Sequence, residues 1–388
     1  MSCTVDFHVT VTSDDLFWAS LASGLRLLGQ LESGLAAAPE RSCAVFDSDG
    51  HWASAVASSG TLIFEMHTSD ATPKGIEMRL EGEPLFCRLF LSADQRYAAT
   101  GVYLSTGNED AVQIGVFDRS TNKWASNFVV KASDDLSSKL RLDGFLGDTS
   151  KLVVTGIGKS KPSEDVKVRV LLFGPDGQPT AESGFDRTLP RSNRSWDADS
   201  VDARHNRLWF VGSPQFCPIK SVTLTGPVGY FPSITASAVG GTVCLPIAIG
   251  FPQADVVVGG STGNQNWVWR VDVGSGTGEK MELPQSKPTG LAKWNSYAMS
   301  PVPEFSPDGE VFAVGRSVTA WDTFDQSRDN GGELDVIQSK PLKVLAVIPL
   351  KDGCGPGSVA VDHRNGSIMV LQRHCGKWER DEFPKTPR

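Results

Sequence analysis

Short apolar runs alternate with polar turns along the chain, and seven of these turns recur at intervals of 45 to 58 residues. They sit at Asp49, Asp94, Asp148, Asn206, Asp255, Asp308 and Asn365. A mostly apolar segment precedes each one: CAVFDSDG, CRLFLSADQ, DGFLGDTS, SVDARHN, IGFPQAD, PEFSPDG and SVAVDHRNG. A second follows: HWASAVA, RYAATGV, KLVVTGI, RLWFVGS, VVVGGS, EVFAVGR and SIMVLQR. Two apolar runs around a short polar turn predict a hairpin. Third strands are expected at TLIFEM, VQIGVFD, VKVRVLLF, KSVTLT, WVWRVDV, SVTAWD and KWERDEF, several of which alternate at period two as half-buried antiparallel strands do. Fourth, outer strands are expected over Ile76–Leu80, Phe128–Val130 and Val344–Ile348. A repeat of this size in β-rich sequence predicts an all-β, seven-bladed propeller of four-stranded antiparallel blades, a single domain over residues 1–388.

The seventh repeat runs out after three strands, so its fourth is expected from the other end of the chain. Leu25–Leu31 (LRLLGQL) stands upstream of the first blade much as LKVLAVIPL stands upstream of the seventh. A helix over residues 14–31 competes, because Ser13 supplies a cap and Trp18, Leu21, Leu25 and Leu28 fall at helical spacing. The strand is favoured, since closing the last blade removes an exposed sheet edge. Val5–Val11 reads as a strand without an assigned place.

Composition narrows the class of partner. With 40% hydrophobic and 21% charged residues, the chain has the balance of a soluble globular protein. The 39 Gly and 23 Pro are dispersed, which suits many tight turns. A net charge of −8 argues against a nucleic-acid partner held by phosphate neutralisation. No run of 18 apolar residues exists to span a membrane as a helix. The N-terminal segment makes a poor signal peptide: Asp14 and Asp15 stand where a basic region belongs, and Arg26, Gln30 and Glu32 interrupt the apolar stretch, although Ala36-Ala37-Ala38 resembles a cleavage site. A monomer is expected.

Phe305-Ser306-Pro307-Asp308-Gly309, followed by EVFAVG and then Trp321-Asp322, resembles a WD40-like or TolB-like repeat. In that family F-S-P-D-G joins the first two strands of a blade and W-D closes the third. The match is good only in the sixth blade; Gly-His signatures are absent, and Trp196-Asp197 falls ahead of a first strand. The resemblance implies that first-to-second turns share one face, while second-to-third loops and blade connections share the other. The second set is longer: residues 105–111, 158–165, 213–219, 261–266 and 372–376, with connections 188–199 and 284–299. Long polar loops on one end of a rigid scaffold are where binding sits.

The candidate binding residues are therefore Asn108 and Asn264, from the repeated STGN loops, and Arg194, Trp196, Asp197, Asp199, Trp294 and Tyr297, from the two longest connections. Aromatic and Arg side chains are enriched at binding hot spots. Packing between blades is the competing role for both tryptophans, and left-handed turn geometry for both asparagines. Asp197, Asp199 and Asp202 also suit general acid/base work or a hard cation. Gly259-Gly260-Ser261-Thr262-Gly263 matches a nucleophile elbow, but a strand follows where a helix belongs. Gly274–Gly278 lacks a P-loop lysine and reads as a hairpin turn. Six histidines show no metal-binding spacing, so neither a metal nor a cofactor is expected.

Two functions follow. The first is a non-enzymatic binding or scaffolding module for a protein, peptide or glycan; the alternative is a hydrolase or lyase acting on a carbohydrate or lactone in the central funnel. Seven cysteines contain no C-x-x-C and read either as small buried residues or as disulfide partners. The family layout brings Cys354 near Cys375, and less directly Cys217 near Cys244. Such bridges would favour a periplasmic or secreted home over the cytoplasm.

Overall fold

In the computed structural model the described residues are 41–384, apart from the loop segments 59, 68–74, 106–109, 133–139, 158–165, 190–195, 213–217, 230–233, 236–242, 250–255, 263–264, 272–277, 286–293, 300–303, 324–325, 351–354 and 374–377. They form seven antiparallel sheets and no α-helix. First strands are Ser42–Phe46, Glu83–Leu91, Arg141–Phe145, Trp196–Asp202, Val243–Ile249, the split pair Trp294–Met299 and Glu304–Phe305, and Gly355–Asp362. Second strands are Trp52–Ser58, Tyr97–Ser105, Leu152–Ile157, Arg207–Gly212, Val256–Thr262, Val311–Thr323 and Ser367–Arg373. Third strands are Thr61–His67, Asp110–Asp118, Val166–Phe173, Pro218–Thr223, Gln265–Val271, Gln326–Gln338 and Trp378–Glu382. Six blades carry a fourth: Ile76–Arg79, Lys123–Lys131, Phe185–Leu189, Ile234–Thr235, Gly278–Glu282 and Lys343–Pro349.

Apolar side chains cement neighbouring blades. Leu62 and Phe64 of blade one pack with Cys87 and Leu104 of blade two. Blades two and three meet through Ile114 and Leu142, three and four through Val153 and Leu208, five and six through Val268 and Phe312, and six and seven through Val336 and Ile368. The first strand of blade four lies against that of blade five. Phe46 of blade one joins Ala360 and Met369 of blade seven, so the ring closes.

The first-to-second turns explain the legible period. Gly50, Gly309 and Gly366 have φ of +82°, +73° and +64°. Gln95 and Asn206 occupy the same left-handed region at +58° and +56°. Such backbone favours Gly and Asn, which is why these turns look alike in sequence. Side chains complete them: Asp47 Oδ1 accepts the amides of Asp49 and His51 at 2.9 and 3.0 Å. Several described turns also tie to a neighbour. Arg119 donates to Asp47 Oδ2 at 2.6 Å, the Ser48 amide to Gln95 at 3.3 Å, and the Gly147 amide to the Ala203 carbonyl at 3.0 Å. His363 Nδ1 meets Asp308 Oδ2 at 2.9 Å, and Arg364 donates to the Ser48 carbonyl across the ring seam.

Three expectations need correcting. SVTAWD does not form a third strand: Val311–Thr323 is one 13-residue second strand, and Trp321 pairs backward with Trp294 of the first. The Trp321-Asp322 pair therefore does not close a third strand as the repeat family requires. Residues 261–266 are not a long loop, because Thr262 pairs Gln265 and leaves a two-residue connection. The long connections end early, with Trp196, Asp197 and Asp199 inside the first strand of blade four and Trp294 and Tyr297 inside that of blade six. The strand expected over Leu25–Leu31 lies outside the described residues, and blade seven shows three strands among them.

One disulfide joins described residues. Cys43 and Cys87, on the first strands of blades one and two, are bridged with Cα atoms 5.7 Å apart. The pairing expectations had fallen on other cysteines; Cys217, Cys354 and Cys375 lie outside the described residues, and Cys244 pairs Gly260 in a sheet. The Cys43–Cys87 bridge closes a sequence separation of 44, for which loop entropy gives about 4 kcal/mol. Cys43→Ser is accordingly expected to lower stability by about 2–4 kcal/mol. Reductant should have the same effect on the wild type and none on the variant in paired denaturant titrations; equal midpoints with and without reductant would remove this role.

Candidate functional site

In the first strands of blades two and three, charged residues stand beside apolar ones. Arg88 interrupts the first strand of blade two, and Arg141 and Asp143 that of blade three. Alternation sends Cys87 and Leu89 into the core shared with blade one, leaving Phe86 and Arg88 on the side of blade three. Tyr103, directly across from Phe86 in the ladder, joins them. Phe86 and Tyr103 lie toward the strand ends remote from the first-to-second turn, whereas Arg88 is mid-ladder opposite Gly101 and Asp143 is at the middle of its strand.

The geometry there is asymmetric in charge. Asp143, 1% exposed in its side chain, accepts from Thr155 Oγ1 at 2.5 Å through one oxygen. Its other oxygen lies 2.7 Å from Arg141 Nε. The Arg88 guanidinium reaches that same oxygen only at 3.6 Å, beyond hydrogen-bonding distance. Instead it lies 5.8 Å from the Phe86 ring centroid, and Phe86 lies 5.4 Å from Tyr103. Arg88 donates no side-chain hydrogen bond to another described residue. Burial pushes the Tyr103 phenol above its usual range, opposed by Arg88 and Arg141, so it stays a neutral hydroxyl.

Next to this cluster the strand exposes apolar surface. A register shift between Pro84 and Phe86 leaves Leu85 unpaired in the ladder, and Leu85 and Phe86 are 49% and 40% exposed. A bulge redirects consecutive side chains outward and often stands beside a functional site. The surface here thus offers a one-third-exposed guanidinium, an aromatic ring and an aliphatic side chain.

The opposite face offers a shallow cavity of about 720 Å³ lined by Ser48, Asp49, Asp94, Gln95, Arg96 and Arg119. Its charges are largely spent on one another. Arg96 pairs Asp118 at 3.0 Å, which with the Ser120 hydroxyl holds that carboxyl down at about 2. The Ser92 hydroxyl and the Arg96 amide lower Asp94. Asp47, Asp49 and His51 cluster closely enough to suggest a metal site. Both Asp47 oxygens are already occupied, however, and the Arg119 guanidinium sits where a cation would.

The sequence-derived candidates are not gathered into a described site. Arg194, Asn108 and Asn264 lie outside the described residues. Trp196 pairs Gly212, Asp199 pairs Phe210, and a register shift falls at Asp197. Trp294 and Tyr297 pair Trp321 and Val318. Asp202 ends the first strand of blade four, and its side chain accepts the His205 amide at 2.9 Å and meets its Nδ1 at 2.7 Å. Sequence reading missed Arg88, Arg141 and Asp143, whose signal was charge within an inner apolar strand. It also missed the histidines' work as partners of turn aspartates.

No protein-family model matches the chain, and no curated protein matches it. Among solved structures, hydrazine synthase of Kuenenia stuttgartiensis aligns over 92% of this chain and 98% of its own, with a TM-score of 0.50 and 12% identity. The Dos1 propeller aligns over 87% and 76%, with a TM-score of 0.45 and 11% identity. At such identity the likeness is one of fold. Seven antiparallel sheets packed in a closed ring make the chain an all-β, seven-bladed propeller.

Proposed function

We propose that this chain is a non-enzymatic binding or scaffolding propeller, one domain over residues 1–388, which takes a protein, peptide or glycan ligand on its long-loop face. The observation that carries the reading is the exposed pair Leu85 and Phe86 beside Arg88, on that face. Apolar side chains next to a guanidinium are the composition of a recognition patch. The Cys43–Cys87 disulfide supports a periplasmic or secreted location.

The test is retention on peptide and glycan arrays by wild type and Phe86→Ala. Binding is expected to weaken at least tenfold in the variant, with the melting temperature within about 3 °C, because the ring is already half solvated. Unchanged retention, or a collapse of stability, would reject the role of this face. The competing reading, hydrolysis or elimination on a carbohydrate or lactone in the funnel, draws on Asp197, Asp199 and Asp202. Asp202 is held by His205, which weakens that set. A hydrolase and lactonase screen with Asp199→Ala separates the two: turnover lost in the variant would favour the enzyme.

A further inference from the structure

We infer that Asn365 is a deamidation site at the ring seam, and that its conversion to a carboxylate weakens the closure of blade seven on blade one. An asparagine followed by glycine is the dipeptide most open to this reaction, because no Cβ hinders the approach of the next backbone nitrogen. Two such dipeptides occur in the sequence. Asn330-Gly331 lies inside the third strand of blade six, whereas Asn365-Gly366 belongs to the turn between the first and second strands of blade seven. Water reaches the second, since Asn365 is exposed.

In the reaction the Gly366 nitrogen loses its proton and attacks Asn365 Cγ, a C–N bond forms, and the side-chain nitrogen leaves as ammonia. Water then opens the five-membered imide at either carbonyl, giving aspartate or isoaspartate. The closed turn opposes the first step at both nitrogens. The Gly366 amide donates to the His363 carbonyl at 3.2 Å, so the attacking nitrogen is engaged. The leaving nitrogen, Asn365 Nδ2, donates to Asp362 Oδ2 at 2.7 Å, and the Asn365 amide donates to Asp362 Oδ1 at 3.2 Å. Blade one covers the same amide: Asn365 Nδ2 leaves no room for a Cβ at Gly50, and the adjoining Arg364 donates to the Ser48 carbonyl. Modification is therefore slow while the seam is shut and proceeds from the opened state.

The product cannot restore these contacts. A carboxylate at position 365 has no proton for Asp362 Oδ2, so two like charges face each other where Asp362 is 2% exposed. Isoaspartate also lengthens the main chain by one carbon, inside a turn that holds Gly366 at a φ of +64°.

The experiment incubates the full chain and a synthetic peptide of residues 357–371 in one mildly alkaline buffer, and follows conversion of Asn365 by mass mapping. The peptide is expected to convert, and Asn365 of the folded chain about tenfold or more slowly. Arg364→Ala, which removes the tie to Ser48 and keeps Asn365 and Gly366, should fall between the two. In denaturant titrations Asn365→Asp should have a lower midpoint than Asn365→Ser. Adding Asp362→Asn to Asn365→Asp should raise that midpoint again, because an amide and a carboxylate then face each other once more. The comparison of wild type with peptide does not depend on how any variant folds. Equal rates in the two, or a peptide that does not convert, would overturn the inference. Arg364→Ala as protected as wild type would show that the turn alone shields Asn365, and would overturn the link to the seam. Equal midpoints for Asn365→Asp and Asn365→Ser would overturn the weakening of closure.

Discussion

Arg316→Met is expected to lower stability by about 3–5 kcal/mol, because it strips the cation from a buried pair of carboxylates. Arg316, on the second strand of blade six, has no exposed surface. Its Nε lies 2.6 Å from Asp335 Oδ2, and its Nη2 donates to Asp335 Oδ1 at 3.0 Å. The same Nη2 pairs with Glu333 and donates to the Pro284 carbonyl at 2.7 Å, which fastens blade six to the segment leaving blade five. Methionine fills much of the volume but leaves two acids facing each other away from water. Chemical denaturation measures the loss. The triple variant Arg316→Met, Glu333→Gln, Asp335→Asn should recover most of it, since it removes the uncompensated charge. A triple variant as unstable as the single one would mean that the guanidinium acts by shape.

The second large effect is a pH dependence from the same cluster. Burial, opposed by Arg316 and reinforced by Glu333, pushes the Asp335 carboxyl up to about 7. The folded chain therefore holds this proton more tightly than the unfolded chain, in which Asp titrates near 3.9. Below about pH 4 both states are protonated and the contribution to stability is fully present. As pH rises toward about 7 the unfolded state releases its proton first, and stability falls by on the order of 4 kcal/mol before levelling off. Asp335→Asn should remove this slope, so the variant gains relative to wild type between pH 4 and pH 8. Denaturant midpoints across that range decide the matter: a constant difference between the two proteins would refute the raised carboxyl.

The first two strands of each blade were readable because their turns impose chemistry. A left-handed backbone position calls for Gly or Asn, and Asp side chains cap the neighbouring amides, so Asp47-Ser48-Asp49-Gly50 and Ser306-Pro307-Asp308-Gly309 announce themselves. Blade six misled for a related reason. Its third strand begins QSRDNGG, whose polar and Gly residues signal a turn, yet pairing across a 13-residue ladder overrides that local preference. Outer strands such as Phe185–Leu189 and Gly278–Glu282 carry little periodicity because much of their surface faces solvent. The candidate site was hidden differently. Arg88 and Asp143 each looked like a lone interruption, and only the packing of blade two on blade three shows that they meet. Cys43 and Cys87 likewise belong to separate repeats and meet only when the first strands converge.

Ring closure through Phe46 and Met369, with Arg364 on the Ser48 carbonyl, changes how such a repeat molecule comes apart. In an open array the terminal repeats have one neighbour each and fray first, so stability declines toward both ends. Here blades one and seven each have two neighbours, and detaching either breaks two interfaces at once. The chain's two ends thus inherit the cooperativity of its middle. Detaching a whole blade is therefore opposed at every position in the ring, so local opening is confined to pieces smaller than a blade.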